Sequence, residues 1–278
     1  MRKRKIVSDS ASDILQLEQI DFAYAPMKVI TAEREFIDNE MLDIESMVDF
    51  FLKYKGKSKS SCPNPNDWIE AFGDADEVFC VTITGGLSGS YNSACAAKKL
   101  YEEAHPERRV FVLDSRTAGP EITLTVRKLG ELIQAGMSFE EICSEISSYI
   151  QSTGLVFMLK SLKNFANNGR VSPLVAKIVG IAGICVVGKA SDEGTLEPTH
   201  KCRGEGRSLE TLTEDLERMG LKAGRVSIGH CRNEAGARTL ENMLYKKFPQ
   251  ADIEVHPLRG LCSFYAENGG LLVGFEKQ

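Results

Sequence analysis

The feature that most constrains this chain is a six-residue run, Val78-Phe-Cys-Val-Thr-Ile83. It passes into Gly85-Gly-Leu-Ser-Gly-Ser90 and then into a stretch rich in Ala and Lys, Asn92 to Glu103. A short apolar run bounded by glycines is the pattern of a buried strand, and the stretch after the turn is built of helix formers. Val110-Phe-Val-Leu113 repeats the strand pattern and ends in Asp114-Ser115. Two helical stretches follow, Glu121 to Ala135 and Ser138 to Gln151. At the start of the chain, Lys5-Ile-Val7 opens a strand that runs into Ser8-Asp-Ser-Ala-Ser-Asp13, residues suited to turns and helix caps. Strands that alternate with helices predict crossover units and a mostly parallel sheet with flanking helices.

Between these landmarks, Asp21 to Ile30 reads as extended and is broken by Pro26. Leu42 to Tyr54 has apolar residues at helical spacing, and Asn66 to Phe72 reads as a further helix. Ser58 to Pro65, rich in Ser, Pro and Asn, reads as a loop. The second half has another rhythm. Leu155 to Leu159 reads as a strand, and Ile184 to Gly188 and Thr195 to Cys202 flank a hairpin turn at Asp192-Glu-Gly194. Helix Leu209 to Met219, strand Arg225 to Gly229, helix Glu234 to Phe248, and strands Ile253 to His256 and Leu271 to Phe275 complete the chain. The change of rhythm places a domain boundary between Gln151 and Gly154. The expectation is two α/β domains, 1–152 with a mostly parallel sheet and 153–278 with a mixed one.

Of the 278 residues, 42% are hydrophobic and 26% charged, the profile of a folded domain and not of a disordered chain. A net charge of −5 argues against nucleic acid as a partner, since that binding is dominated by basic patches. No apolar core follows the basic opening Arg2-Lys-Arg-Lys5, so no signal peptide is expected. The most apolar stretch, Val171 to Val187, is interrupted by Ser172, Pro173 and Lys177. It reads as a buried helix and strand, with no stable membrane insertion. The eight cysteines form no Cys-x-x-Cys pair, and several sit in apolar runs, which fits free thiols in a cytoplasmic protein. His200 with Cys202 and His230 with Cys231 lack zinc-type spacing, so no metal site is expected.

In an open α/β sheet, ligands bind beyond the carboxyl ends of the strands. The turn Gly85–Ser90 stands at such an end and at the start of a helix, where free N–H groups and the helix dipole favour an anion. Ser88 and Ser90 add hydroxyls there. The plainer reading is a serine-capped turn without a ligand. No Gly-Lys-Ser/Thr follows, so this is not a nucleotide P-loop. Ser90 also stands where a hydrolase elbow needs its second glycine. Ser8-Asp-Ser10 and Asp114-Ser-Arg-Thr117 end other strands on the same edge, and Ser60-Ser61 lie in a loop able to reach it. Hydroxyls without a base to activate them favour binding over catalysis. The alternative is a hydrolase or transferase acting on an acyl or phosphoryl group, with His200, His230 or His256 as base. Arg170, in Asn168-Gly-Arg-Val-Ser172, is placed to pair with an anion at a domain interface, or else to lie on the surface. Lys201, Arg203 and Arg207 form a basic cluster that either docks a partner or is simply solvated.

Taken together, these segments resemble the DegV family. Ile6-Val-Ser-Asp-Ser-Ala-Ser-Asp13 is similar to its opening motif, and Ser60-Ser-Cys-Pro-Asn-Pro65 to its Thr-Ser-Gln-Pro-Ser-Pro loop. Ile83-Thr-Gly-Gly-Leu-Ser-Gly-Ser-Tyr-Asn-Ser-Ala94, Leu113-Asp-Ser-Arg-Thr-Ala118 and Asn168-Gly-Arg-Val-Ser172 follow in the family's order. The resemblance implies a non-enzymatic binding protein of two α/β domains, with a long-chain fatty acid in a cleft between them. The carboxylate is held by polar groups and the acyl chain lies in an apolar tunnel. Some members present the acid to a separate fatty acid kinase subunit, which forms an acyl phosphate for phospholipid synthesis. The resemblance places the carboxylate contacts on Ser60 or Ser61 and on Ser88, with the Gly89 amide and Arg170 as further candidates. Many members carry Gly-Thr-His-Thr-Gly-Pro-Gly near the C-terminus. Here Phe264-Tyr-Ala-Glu-Asn-Gly-Gly270 stands, with Ala266 at the histidine's place and Tyr265 as the candidate replacement hydroxyl. No catalytic residue, metal or cofactor is expected beyond the bound fatty acid.

Overall fold

The computed structural model describes residues 2–171 and 183–278. The expected helix at the start of the stretch Val171–Val187 falls on residues 172–182, outside the described residues, as does Ser172.

Strands β1 (Arg4–Asp9), β2 (Phe22–Ala25), β6 (Glu77–Thr82) and β7 (Arg109–Asp114) form a fully parallel sheet in the order β2-β1-β6-β7. All six residues of β6 are buried, which is why its sequence is one unbroken apolar run. Helices α2 (Pro65–Phe72) and α3 (Ser90–Ala104) cover one face through Trp68, Phe72, Ala94, Ala97 and Tyr101. Helix α2 starts where a sequence rule says it should. Asn64 and Asp67 make a reciprocal capping box, and Pro65 fills the first turn. Helix α1 (Ile44–Lys53) is capped in the same spirit, with Asp43 accepting from the Ser46 N–H at 3.0 Å.

Two short strands, β3 (Lys28–Thr31) and β4 (Glu35–Ile37), build a three-stranded antiparallel sheet with β5 (Ser58–Ser61). This is a correction: Ser58 to Pro65 reads as a loop, yet Lys28 pairs with Ser61 and Val29 with Ser60. Serine and lysine have poor strand propensity, and pairing to a partner strand overrides it.

From Thr153 the chain builds a second sheet, mixed and six-stranded. Its members are β8 (Thr153–Leu159), β9 (Ile184–Ala190), β10 (Leu196–Arg203), β11 (Gly224–His230), β12 (Ala251–Pro257) and β13 (Leu271–Glu276), in the order β10-β9-β8-β13-β11-β12. All its pairs are antiparallel except β11 with β12. The helices Glu205–Arg218 and Glu234–Lys247 cover its outer face.

Helix α4 (Pro120–Gln134) lies between the two sheets, touching β1 and β6 on one side and β8, β11 and β13 on the other. Ten of its fifteen residues are buried, because it has a sheet on both flanks. The close approach to β13 depends on Gly274. A Cβ there would stand 2.4 Å from the Glu121 nitrogen and 2.6 Å from the Pro120 carbonyl carbon, both backbone atoms. Gly274→Ala is therefore expected to lower stability by about 1–3 kcal/mol, the usual cost of overpacking. Urea denaturation of the two proteins measures it. A change of less than about 0.5 kcal/mol, the range of a neutral surface substitution, would show that the layers are looser than described.

The helix Gly260–Ala266 is also missed in the sequence, as is the short strand β4. It opens on a glycine and six of its seven residues are buried, so it shows no amphipathic signal. Its cap comes from far away in the chain. The Asp38 carboxylate accepts from the Gly260 N–H at 2.9 Å and the Leu261 N–H at 2.8 Å.

Candidate functional site

Where the inner face of the six-stranded sheet turns toward the parallel sheet, the core opens into a cavity. The gap between its walls, including the open mouth, is about 770 Å³. Leu155 and Phe157 of β8, Leu272 of β13, and Ala190 and Leu196 of the β9–β10 hairpin supply one wall. Ile83, Ala118 and Met27 come from the parallel-sheet side. Phe165 of the short helix Lys163–Asn167 and Leu261, Cys262 and Ala266 of the helix Gly260–Ala266 close the rest. Burial holds Cys262 far above the ordinary thiol range, so it contributes as an apolar group.

The polar lining groups are few: Ser60, Thr84, Ser88, Thr117, Arg170 and Tyr265. Ser60 and Tyr265 share a 2.6 Å hydrogen bond between their hydroxyls. The Tyr265 ring packs on Phe165 with centroids 4.7 Å apart. Burial raises the Tyr265 phenol above its usual range, so it stays protonated and able to donate. Arg170 donates from Nε to the Leu87 carbonyl at 2.8 Å and from Nη1 to the Asn168 carbonyl. That pins the guanidinium between the turn after β6 and the end of the helix Lys163–Asn167.

The structure thus brings Ser60, Ser88, Arg170 and Tyr265 to one cavity and does not bring Ser61 or Gly89 there. Successive residues of a strand point to opposite faces. With Ser60 lining the cavity, Ser61 turns away, and its hydroxyl bonds the Cys62 carbonyl at 3.3 Å. Ser90 is also diverted. It is fully buried and donates to Asp9 Oδ2 at 2.6 Å, an oxygen that also accepts from the Ile83 N–H at 2.9 Å. Asp9 therefore locks the turn in place instead of serving the cavity. Ser88 accepts from the Ser90 N–H at 3.2 Å.

Arg170 is the one charged residue among the described residues that line the cavity, and none of them is a histidine or a carboxylate. His256 is hydrogen-bonded to Ser227 at 2.9 Å, but Ser227 is fully buried in β11 and does not line the cavity. His200 is half-buried beside Asp215, on β10, and does not line the cavity. Among the described residues that line the cavity, no base stands beside Ser88. Of the basic cluster, Arg207 pairs with Glu210 and Glu214.

Three buried carboxyl groups stand behind the cavity wall. Asp38 holds the helix Gly260–Ala266, and Asp13 Oδ1 accepts from the Arg259 N–H at 2.9 Å, one residue before it. Burial pushes Asp13 up to about 8 and Asp9 up to about 6, and it raises Asp38 as well. A carboxyl with a raised folded-state pKa keeps its proton in the native protein while the unfolded chain has lost it. Stability therefore falls as pH rises from about 4, the unfolded value, through the folded pKa. The decline should be steepest below pH 6 and continue to about 8 through Asp13. Asp13→Asn, which mimics the neutral acid, should flatten the slope between pH 6 and 8. Denaturant unfolding at each pH tests this, and an unchanged slope would remove Asp13 as its source.

The fold and cavity define a class: an α/β protein with an apolar chamber between a parallel and a mixed sheet, finished at one side by hydroxyls and a guanidinium. This chain belongs to the DegV family; residues 3–278 match its model, described as an uncharacterised protein family. A DegV domain-containing protein of Streptococcus pneumoniae is 43% identical over 276 residues, 98% of each chain. A DegV family protein from Eubacterium eligens, solved loaded with heptadecanoic acid, superposes with a TM-score of 0.97 at 43% identity, covering 99% of this chain and 100% of that one. The Streptococcus pneumoniae fatty acid kinase B3 protein, loaded with linoleic acid, also gives 0.97, at 42% identity over 99% and 100% of the two chains.

Thr117, read from the sequence as part of a strand end on the same edge, does line the cavity, whereas Thr84 and Cys262 are lining residues that sequence reasoning missed. Thr84 follows β6, so the strand-end rule that reached Thr117 would have reached it too. Nothing in its neighbourhood marks Cys262.

Proposed function

We propose that this protein binds a long-chain fatty acid, non-catalytically, with the acyl chain in the apolar cavity. Ser60, Tyr265, Ser88 and Arg170 are the groups that would receive the carboxylate. The observation that carries the reading is the distribution of polarity. Among the described residues, a largely apolar chamber has a few hydroxyls, two of them hydrogen-bonded to each other, and one cation, with no base among its lining groups. The solved relatives loaded with fatty acids support it. On this reading residues 1–152 and 153–278 are the two units that bound the chamber. The acid is handed to a separate kinase subunit in the cytoplasm for acyl phosphate formation, a role supported by the similarity to the fatty acid kinase B3 protein.

The energetics favour such a ligand. About fifteen methylenes at about 0.8 kcal/mol each contribute about 12 kcal/mol before the cost of immobilisation. The carboxylate needs only enough donors to offset its desolvation. A hydrolase or transferase would need a base beside Ser88, and no observation favours that alternative.

The test is native mass spectrometry of the purified protein with fatty-acid analysis of its extract. A stoichiometric added mass that matches an extracted acid is the expected result. No added mass, and no uptake of palmitic, oleic or linoleic acid, would overturn the proposal. Ser60→Ala should weaken fatty-acid affinity by roughly tenfold or more, the scale of one hydrogen bond to a charged group. An unchanged affinity would remove Ser60 from the site.

A further inference from the structure

We infer that Asn168 is the positioning residue of the polar end of the cavity: it fixes Ser60 and Arg170 relative to each other. The inference rests on the fatty-acid reading and deepens it. Asn168 is not a lining residue, yet it touches two residues that are. Its side-chain Oδ1 accepts from the Ser60 N–H at 3.1 Å, and its carbonyl accepts from Arg170 Nη1. Its side-chain Nδ2 donates to the Asn164 carbonyl at 2.9 Å. Asn164 in turn donates to the Phe264 carbonyl at 2.7 Å, next to Tyr265. A continuous relay of amides therefore joins Ser60, Arg170 and the backbone beside Tyr265.

The local fold explains why one residue can do this. The helix Lys163–Asn167 ends in two paired hydrogen bonds, Arg170 N–H to the Phe165 carbonyl at 2.9 Å and Gly169 N–H to the Ala166 carbonyl at 3.1 Å. Gly169 takes φ +66, the left-handed turn that this ending requires. The reversal sends Arg170 back over the cavity and leaves the Asn168 side chain facing β5. That strand is at the edge of a three-stranded sheet, so the Ser60 N–H has no strand partner on its outer side. An amide oxygen supplies the missing acceptor. Only a side chain with both an acceptor and a donor can serve the Ser60 N–H and the Asn164 carbonyl at once.

The experiment compares Asn168→Ala with the unsubstituted protein for two ligands of equal length, palmitic acid and hexadecanol. A positioning role predicts about tenfold weaker binding of the acid and a clearly smaller loss for the alcohol, since only the carboxylate pairs with the Arg170 charge while the alcohol offers a single neutral hydroxyl. Equal losses for both ligands would mean a merely structural role, and no loss for either would remove Asn168 altogether. Asn168→Leu, close to asparagine in shape but with neither donor nor acceptor, provides a second variant if alanine does not fold, with the same expected loss. In a Ser60→Ala background the further loss on Asn168→Ala should shrink, because residues acting through one another are not additive. Full additivity would overturn the inference. If the unsubstituted protein binds neither ligand, the fatty-acid reading itself fails. If it binds the acid well and Asn168→Ala changes nothing, only the inference does.

Discussion

One carboxylate organises the wall of the cavity. Asp38, 2% exposed, receives the N–H groups of Gly260 and Leu261, and Asp13 receives that of Arg259 beside them. These bonds join segments more than two hundred residues apart in sequence. The helix they hold carries Leu261, Cys262, Tyr265 and Ala266, all lining residues. A seven-residue helix that begins with glycine has little stability of its own. Without Asp38 its first N–H groups would be buried and unpaired, at a cost of about 1–3 kcal/mol each. The polar cluster behind the cavity is thus what permits an apolar surface in front of it.

The same logic governs the turn after β6. A glycine-rich turn at a helix start has several backbone conformations open to it. Asp9 selects one by accepting from both the Ile83 N–H and the Ser90 hydroxyl. The result presents Ser88 and Leu87 to the cavity and leaves Ser90 as scaffolding. Two neighbouring serines of one motif therefore have different duties, and their distance from a buried carboxyl decides which has which.

How much of this was legible in the sequence follows from the range of the forces involved. The parallel sheet was legible because β6 is buried along its whole length and its apolar run reflects that directly, while β7, an edge strand buried at Val110 and Leu113, has a shorter apolar run of its own. Helix α2 and the Phe139–Tyr149 helix were legible from their composition and spacing, and their starts are set by local capping residues three positions apart. β5 was hidden because its strand character is borrowed from β3. The helix Gly260–Ala266 was hidden because its cap is Asp38. Of the candidate site, Ser60, Ser88, Arg170 and Tyr265 were within reach of strand-end reasoning and family resemblance. The choice between Ser60 and Ser61 was not, since it depends on a strand register that composition conceals.

The location of the polar groups also has a physical cause. A chamber walled by two sheets and the helix Gly260–Ala266 has its backbone amides already paired within those elements. Hydroxyls and a guanidinium can enter only at the seam, where an edge strand, a turn and two helix ends meet. Ser60 comes from an edge strand, Ser88 from a turn, Arg170 from a residue just past a helix, and Tyr265 from the last turn of another. Each leaves its element where regular hydrogen bonding stops. That is also why the site needs a relay such as Asn164 and Asn168. Groups drawn from four element ends have no shared backbone to fix their spacing, so side-chain amides must set it.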